Sequence, residues 1–238
     1  MRRHCAPCER SERPCSAGAD GPAVDLQEAI LTTRAIRRFT DAPVTDDELL
    51  TCLRAAVQAP SGGNIQPWQF LVVTEVGTRR AVAELYRRAY ERYERALLAA
   101  LPPFRSADDE AAFTRTVRAS RHLAEHLAEV PALVLFLMPD ISMTLHDDDG
   151  PLDVGTPYAS VYPAVQNFML AARGLGLGTT LTTVYRVHHD ELRALCGIPD
   201  RFQVVALVPV GRPRSRFGVA RRRPVESLTH WDRFGARR

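Results

Sequence analysis

Pro60-Ser61-Gly62-Gly63-Asn64-Ile65-Gln66-Pro67-Trp68 packs turn formers, a hydroxyl, two amides and an indole into nine residues. Proline and glycine let main chain come close to a ligand. Ser61, Asn64 and Gln66 add donors and acceptors where packing alone would not require them. Composition by itself would make this an ordinary turn-rich loop, but its flanks give it the setting of a site. Upstream, Thr45-Asp46-Asp47-Glu48 is an N-cap and capping box for a helix through Leu49, Leu50, Leu53, Ala56 and Val57 that ends at Pro60. Downstream, Gln69-Phe70-Leu71-Val72-Val73-Thr74 has the length and β-branched content of a buried strand.

Farther out, helices alternate with few strands. Asp25 to Leu31 carries helical spacing and runs into Thr33-Arg34-Ala35-Ile36-Arg37-Arg38-Phe39, and the turn Asp41-Ala42-Pro43-Val44 follows. A long helix is predicted from Thr78 to about Leu101, with Leu85, Tyr86, Tyr90, Tyr93, Leu97 and Leu98 on one broad face. Its tyrosines fit packing better than stacking on a ligand. Pro102-Pro103 breaks it, and a second helix runs from about Asp108 to Glu129. Leu133 to Leu137 is a buried strand, and His146-Asp147-Asp148-Asp149-Gly150 lacks the alternating ligands of a calcium loop and reads as a solvated turn. Tyr158 to Gly174 is apolar almost all round and predicts a buried helix, ended by Gly174-Leu175-Gly176-Leu177-Gly178. Those glycines follow a helix and precede a strand, the reverse of a dinucleotide phosphate turn. Leu181, Thr182 and Thr183 fall in an extended stretch, Asp190 to Leu195 forms a helix, and Phe202 to Val210 a strand. The pattern predicts one α+β layered domain over 24–230, preceded by a disordered Cys/Arg/Pro-rich extension (1–23) and followed by a tail (231–238). There are more helices than four or five strands can cover, which points to a homodimer.

Composition narrows the function. With 238 residues, 45% apolar and 25% charged, the chain fits one large globular domain. Its longest apolar runs, Pro131 to Met138 and Val204 to Val210, fall far short of the roughly 20 residues that span a bilayer. No apolar run precedes Leu26, so neither a membrane span nor a secretory signal is expected, and a cytoplasmic protein is. A net charge of +3, with arginines interleaved among acids as in Arg87-Arg88-Ala89-Tyr90-Glu91-Arg92, argues against nucleic acid. Five cysteines make an odd number without an export signal. Cys5, Cys8 and Cys15 lack a second paired motif, so no metal site is expected, while Cys52 and Cys196 read as small core residues. His188 and His189 lack the i, i+4 spacing of a helical zinc pair, and no triad or paired-carboxylate site is apparent.

Three elements in order, Arg34-Ala35-Ile36-Arg37-Arg38-Phe39, the loop Pro60 to Trp68, and Arg221-Arg222-Arg223-Pro224-Val225, resemble the FMN-dependent nitroreductase superfamily. That superfamily also holds flavin reductases, iodotyrosine deiodinase and the flavin-destroying enzyme of cobalamin lower-ligand synthesis. Val165 to Gly178 resembles its central helix and glycine turn, and the likeness runs from about Leu26 to Leu228. It implies a three-layer α+β fold in which helices flank a central, mostly antiparallel sheet of four to five strands. It also implies a homodimer with FMN at the interface.

The resemblance assigns roles. Arg34 and Arg37, spaced i, i+3 at a helix end, would clamp the FMN phosphate. The usual serine between them is Ala35, whose N–H remains available, and Thr33 stands where a further arginine is common. Arg222 would close the clamp from the tail, with Arg221 and Arg223 as neighbouring registers. Ser61, Gly62 and Asn64 would meet the flavin ring and ribityl chain, with Gln66 nearby and Trp68 as a packing anchor. Leu181, Thr182 and Thr183 would lie along the ring edge, and Thr183 would donate to flavin N5 as the catalytic contact. The implied activity is ping-pong transfer from NADH or NADPH to an electron-poor small molecule such as a nitroaromatic or quinone. The helix bearing Tyr86, Tyr90 and Tyr93 would shape the substrate pocket. Two other readings are a dedicated dehydrogenase or dehalogenase of one metabolite, and a non-catalytic flavin-binding module.

Overall fold

A computed structural model describes residues 24–140, 145–152 and 155–238. The cysteine-rich extension and its metal question therefore lie outside the described residues. Helix α1 (Leu26–Thr32) starts where the Asp25 carboxylate accepts from the Gln27 and Glu28 N–H groups. It stops at Thr32, where the hydroxyls of Thr32 and Thr33 donate back to the carbonyls of Glu28 and Ala29 and Thr33 turns to an extended conformation.

Arg34 to Phe39 is consequently not a helix end but an extended segment, a correction to the i, i+3 reading of its arginines. Its backbone is satisfied by distant partners. Ile36 N–H donates to Thr179 O, Phe39 bridges Pro213, Thr40 N–H donates to Arg212 O, and Arg214 N–H donates to Arg38 O. Two glycines permit this approach. A Cβ on Gly178 would sit 2.8 Å from Ile36 Cγ2, and one on Gly211 would sit 2.9 Å from Phe39 Cδ1.

Helix α2 (Asp46–Ala56) carries the complete Thr45/Glu48 capping box and is followed by β1 (Gln69–Val73), α3 (Val76–Ala99) and α4 (Ala107–His126). Next come β2 (Ala132–Pro139), a hairpin of β3 (Leu145–Asp147) and β4 (Gly150–Leu152), and α5 (Tyr158–Gly174). Strand β5 (Gly178–Thr179), α6 (His189–Leu195) and β6 (Phe202–Gly211) complete the order. The stretch read as a solvated turn at His146 to Gly150 is the tip of that exposed hairpin.

The sheet runs β1-β2-β6-β5, antiparallel at every pairing. Both central strands are buried on both faces, so their sequences are continuous apolar runs without alternation. Register slips between Phe136 and Leu137, opposite Ala206 and Val204, so that Val205 and Ala206 both face one side. That side packs on α2 and α5 through Leu49, Cys52, Phe136, Val165 and Phe168. The other face packs on α3, α4 and α6 through Val82, Leu85, Leu123, Leu135 and Leu192. Helix, sheet and helix make three layers. Cys52 is fully buried, and burial, with the nearby Glu48 charge, pushes its thiol up to about 12, consistent with a packing role.

Candidate functional site

The loop from Pro60 to Trp68 is anchored at one end by Trp68, 6% exposed in the α2/α5 layer. At the other end Gly62 N–H donates to Ser160 Oγ on α5 at 3.2 Å. In between the chain coils on itself. Asn64 N–H donates to Ser61 O, Gln66 N–H donates to Ser61 Oγ, and the Gln66 amide donates to Asn64 Oδ1. Gly63, Asn64 and Gln66 all hold positive φ, at 55°, 55° and 46°. Two non-glycine residues in the left-handed region within three positions concentrate strain on the exposed polar part of the loop. The loop lines a cavity of about 470 Å³ with Gly155, Thr156 and Ser160, and a Cβ on Gly62 would meet only open space.

A second cavity, of about 460 Å³, lies in the α3/α4 layer and shares no lining residue with the first. Arg37 lines it, with Thr40, Asp41, Glu129, His122, His126 and Arg214. Arg214 reaches it because β6 continues into a segment zipped against residues 38–40, and its Nε donates to Phe39 O at 2.7 Å. Arg34 is exposed, donates to Arg216 O at 3.4 Å, and is not among the residues that line this cavity. Arg221, Arg222 and Arg223 are exposed, with the Arg222 guanidinium on Arg221 O.

Leu181, Thr182 and Thr183 cross from β5 toward α6. Thr182 exchanges backbone hydrogen bonds with Leu207, and its hydroxyl is 2.9 Å from that of Tyr86 on α3. Burial pushes the Tyr86 phenol up, against the pull of Thr182 and of the nearby Arg37 charge. With Thr182 held on three sides, the Thr183 N–H and hydroxyl keep no partner among the described residues. Tyr86 and Tyr90, 3% and 4% exposed, are core residues, and Tyr90 donates to Val117 O and Glu94. Tyr93 alone of the three reaches solvent, so Tyr86 and Tyr90 pack as the sequence predicts and only Tyr93 is placed to shape a pocket.

Sequence reading had passed over His122, His126 and Arg214. The histidines have the i, i+4 spacing that His188 and His189 lack, and Arg214 follows β6 in Arg212-Pro213-Arg214. His188 and His189 instead flank the start of α6, where His189 Nε2 accepts from Val204 N–H, and burial lowers the His189 pKa. Among the described residues no cluster of three His, Cys, Asp or Glu could hold a metal, and no helix is long and apolar enough to cross a membrane.

Comparison with known proteins gives these features a common frame. The model of the Nitroreductase family matches residues 30–212. A nitrobenzene nitroreductase of Ectopseudomonas oleovorans is 31% identical over 202 residues, covering 78% of this chain and 86% of that protein. A 5,6-dimethylbenzimidazole synthase of Rhodospirillum rubrum is 27% identical, covering 80% of this chain and 87% of its own. A BluB-like flavoprotein from Clostridium difficile 630 superimposes with a TM-score of 0.66 at 23% identity, covering 88% of this chain and all of that one, and so shares the fold.

Proposed function

The chain belongs to the nitroreductase family, and from that premise we propose an FMN-dependent oxidoreductase. It takes hydride from NADH or NADPH and delivers it to an electron-poor acceptor, a nitroaromatic or a quinone, in two successive half-reactions. Bound FMN would supply the ring that accepts and releases hydride at N5. The protein would hold and orient that ring and keep water and competing acceptors out.

The observation that carries this reading is the state of Thr183. Its neighbour Thr182 is tied to Leu207 and Tyr86, while its own N–H and hydroxyl donate to no partner among the described residues. A segment held by its neighbour's hydrogen bonds that still presents donors suits the edge of a planar heterocycle. Arg37 would meet the phosphate, with Arg34, the Ala35 N–H and Arg222 contributing from the exposed rim. Ser61, Gly62, Asn64 and Gln66 would meet the other side of the ligand.

The loop and the Arg37 cavity line opposite layers of one chain. One flavin can touch both only if the loop comes from a second copy, which supports a homodimer with FMN between the protomers. Exposed Leu26, Ile30 and Leu31 on α1 and Val225 and Leu228 after β6 give such a dimer apolar surface to bury.

Purified protein should be yellow, or become so with added FMN, and should bleach with NADH or NADPH without oxygen and recover with a nitroaromatic or quinone. A colourless protein that ignores FMN would sink the proposal. Flavin that binds but never bleaches would leave the binding-module reading in its place.

A further inference from the structure

Thr183 has a direction as well as free donors. The N–H and C=O of Thr182 both turn to β6, the first donating to Leu207 O at 2.9 Å and the second accepting from Leu207 N–H at 3.1 Å. The peptide between Thr182 and Thr183 is trans, so the Thr183 N–H points opposite to the Thr182 carbonyl and hence away from β6. Just beyond, the chain is pinned again. Arg186 N–H donates to Thr183 O at 3.0 Å, and the fully buried Tyr185 phenol donates to Val204 O at 2.8 Å. These bonds run to β6 or within the turn itself, and none ties the segment to the helices that cover it.

Among the described residues, only Tyr86 makes that tie by a hydrogen bond. It lies on α3, 96 positions away in sequence and 3% exposed, with its hydroxyl 2.9 Å from Thr182 Oγ1. Val184 N–H reaches the same Oγ1 at 3.4 Å, so one hydroxyl joins α3 to both sides of Thr183. Burial pushes the phenol up, and it keeps its hydrogen. Filling the apolar layer of Val82, Leu85 and Leu207 would need only the ring, and the hydroxyl needs a partner once buried. Tyr90, on the same helix, finds its partners at Glu94 and at Val117 O on α4. Tyr86 instead spends its hydroxyl on the segment that carries the unspent donors.

We propose that Tyr86 is a positioning residue for hydride transfer: its hydroxyl, by holding Thr182, sets the angle at which Thr183 presents its N–H and hydroxyl to the ligand. The inference rests on the flavin reading, in which Thr183 meets the ring edge. Tyr86 stands behind Thr182 and acts through it, without touching the ligand. Many contacts would share the holding of a flavin, so a misdirected donor at one edge costs little affinity. The same donor aimed at a reacting atom is felt in the rate.

The test is the rate at which the FMN-loaded, full-length protein bleaches with saturating NADH or NADPH without oxygen, with FMN affinity and urea midpoints measured on the same samples. Tyr86→Phe should slow bleaching about fivefold or more, the scale of one hydrogen bond, and leave FMN affinity within about twofold. Thr182→Val removes the other half of the same bond and should slow bleaching about as much. Because both changes delete one interaction, the double variant should be no slower than the slower single variant. A contact that serves only stability would lower the urea midpoint and leave bleaching at the wild-type rate, and that result overturns the proposal. Losses that multiply in the double variant overturn it as well. If one single variant fails to fold, the other decides by the rate criterion. A wild-type protein that takes up no FMN would sink the flavin reading and this inference with it, whereas flavin-loaded variants that bleach normally overturn this inference alone.

Discussion

Asn64 and Gln66 sit in a backbone region that costs an L-residue roughly 1 kcal/mol each. Asn64→Gly should therefore stabilise the protein against urea unfolding by about 0.5–1 kcal/mol while lowering flavin retention, because the amide proposed to meet the ligand goes with the strain. Equal losses of both would show that the side chain is structural. At the clamp, Arg37→Ala should cost about 1.5–3 kcal/mol of FMN affinity, the scale of a charge-assisted contact. Arg34→Ala should cost less, since that side chain is exposed and engaged with Arg216 O. Equilibrium dialysis of the two variants ranks them. Arg37 stands out in sequence because it belongs to an ordered set of motifs, although the helix-end spacing read for it is replaced by an extended segment. His122 and His126 do not, because an i, i+4 pair inside a helix that already carries a packing pattern looks like solvated surface until the extended segment is laid against it.

Helix α2 and its loop could be read locally, since the capping box, the apolar spacing and the turn residues all lie within one stretch of sequence. The end of α1 could not. Ile36 continues the apolar spacing of the helix, and only the distant partners Thr179 and Arg212 draw the chain into extended pairing. That pairing depends on close approach, so Gly178→Ala should destabilise the protein by about 1–3 kcal/mol, read from urea unfolding, because Ile36 Cβ lies 3.0 Å from the added methyl position. Glu48 joins two elements, closing the α2 cap and pairing with Arg212, whose other nitrogen donates to Leu175 O at the end of α5. Burial raises the Glu48 pKa, but Thr45 and Arg212 pull it down further, so it is lowered overall.

Over the whole molecule these groups set an acid response. His122 and His189 have folded pKa values below the ordinary imidazole value, so the unfolded chain takes up protons first and stability should begin to fall below about pH 6.5. Glu48 adds a second loss, present as stability above the ordinary carboxylate value of 4.5 and surrendered as pH drops through its lowered folded value. Urea midpoints measured from pH 8 to pH 3 should show both stages, and His189→Gln should blunt the first. The layered plan itself was legible, because two continuous apolar strands and an all-round apolar helix can only be buried between other layers. The placement of the loop and Arg37 in opposite layers was not, since the two are close in sequence and only the sheet's position parts them. That placement has a genetic consequence. In the proposed dimer, co-expressing Arg37→Ala and Asn64→Ala copies, each with weakened flavin binding alone, would give mixed pairs in which one site carries both lesions and the other carries none. Two defective alleles should therefore restore measurable activity to each other, which a site wholly contained in one chain could never allow.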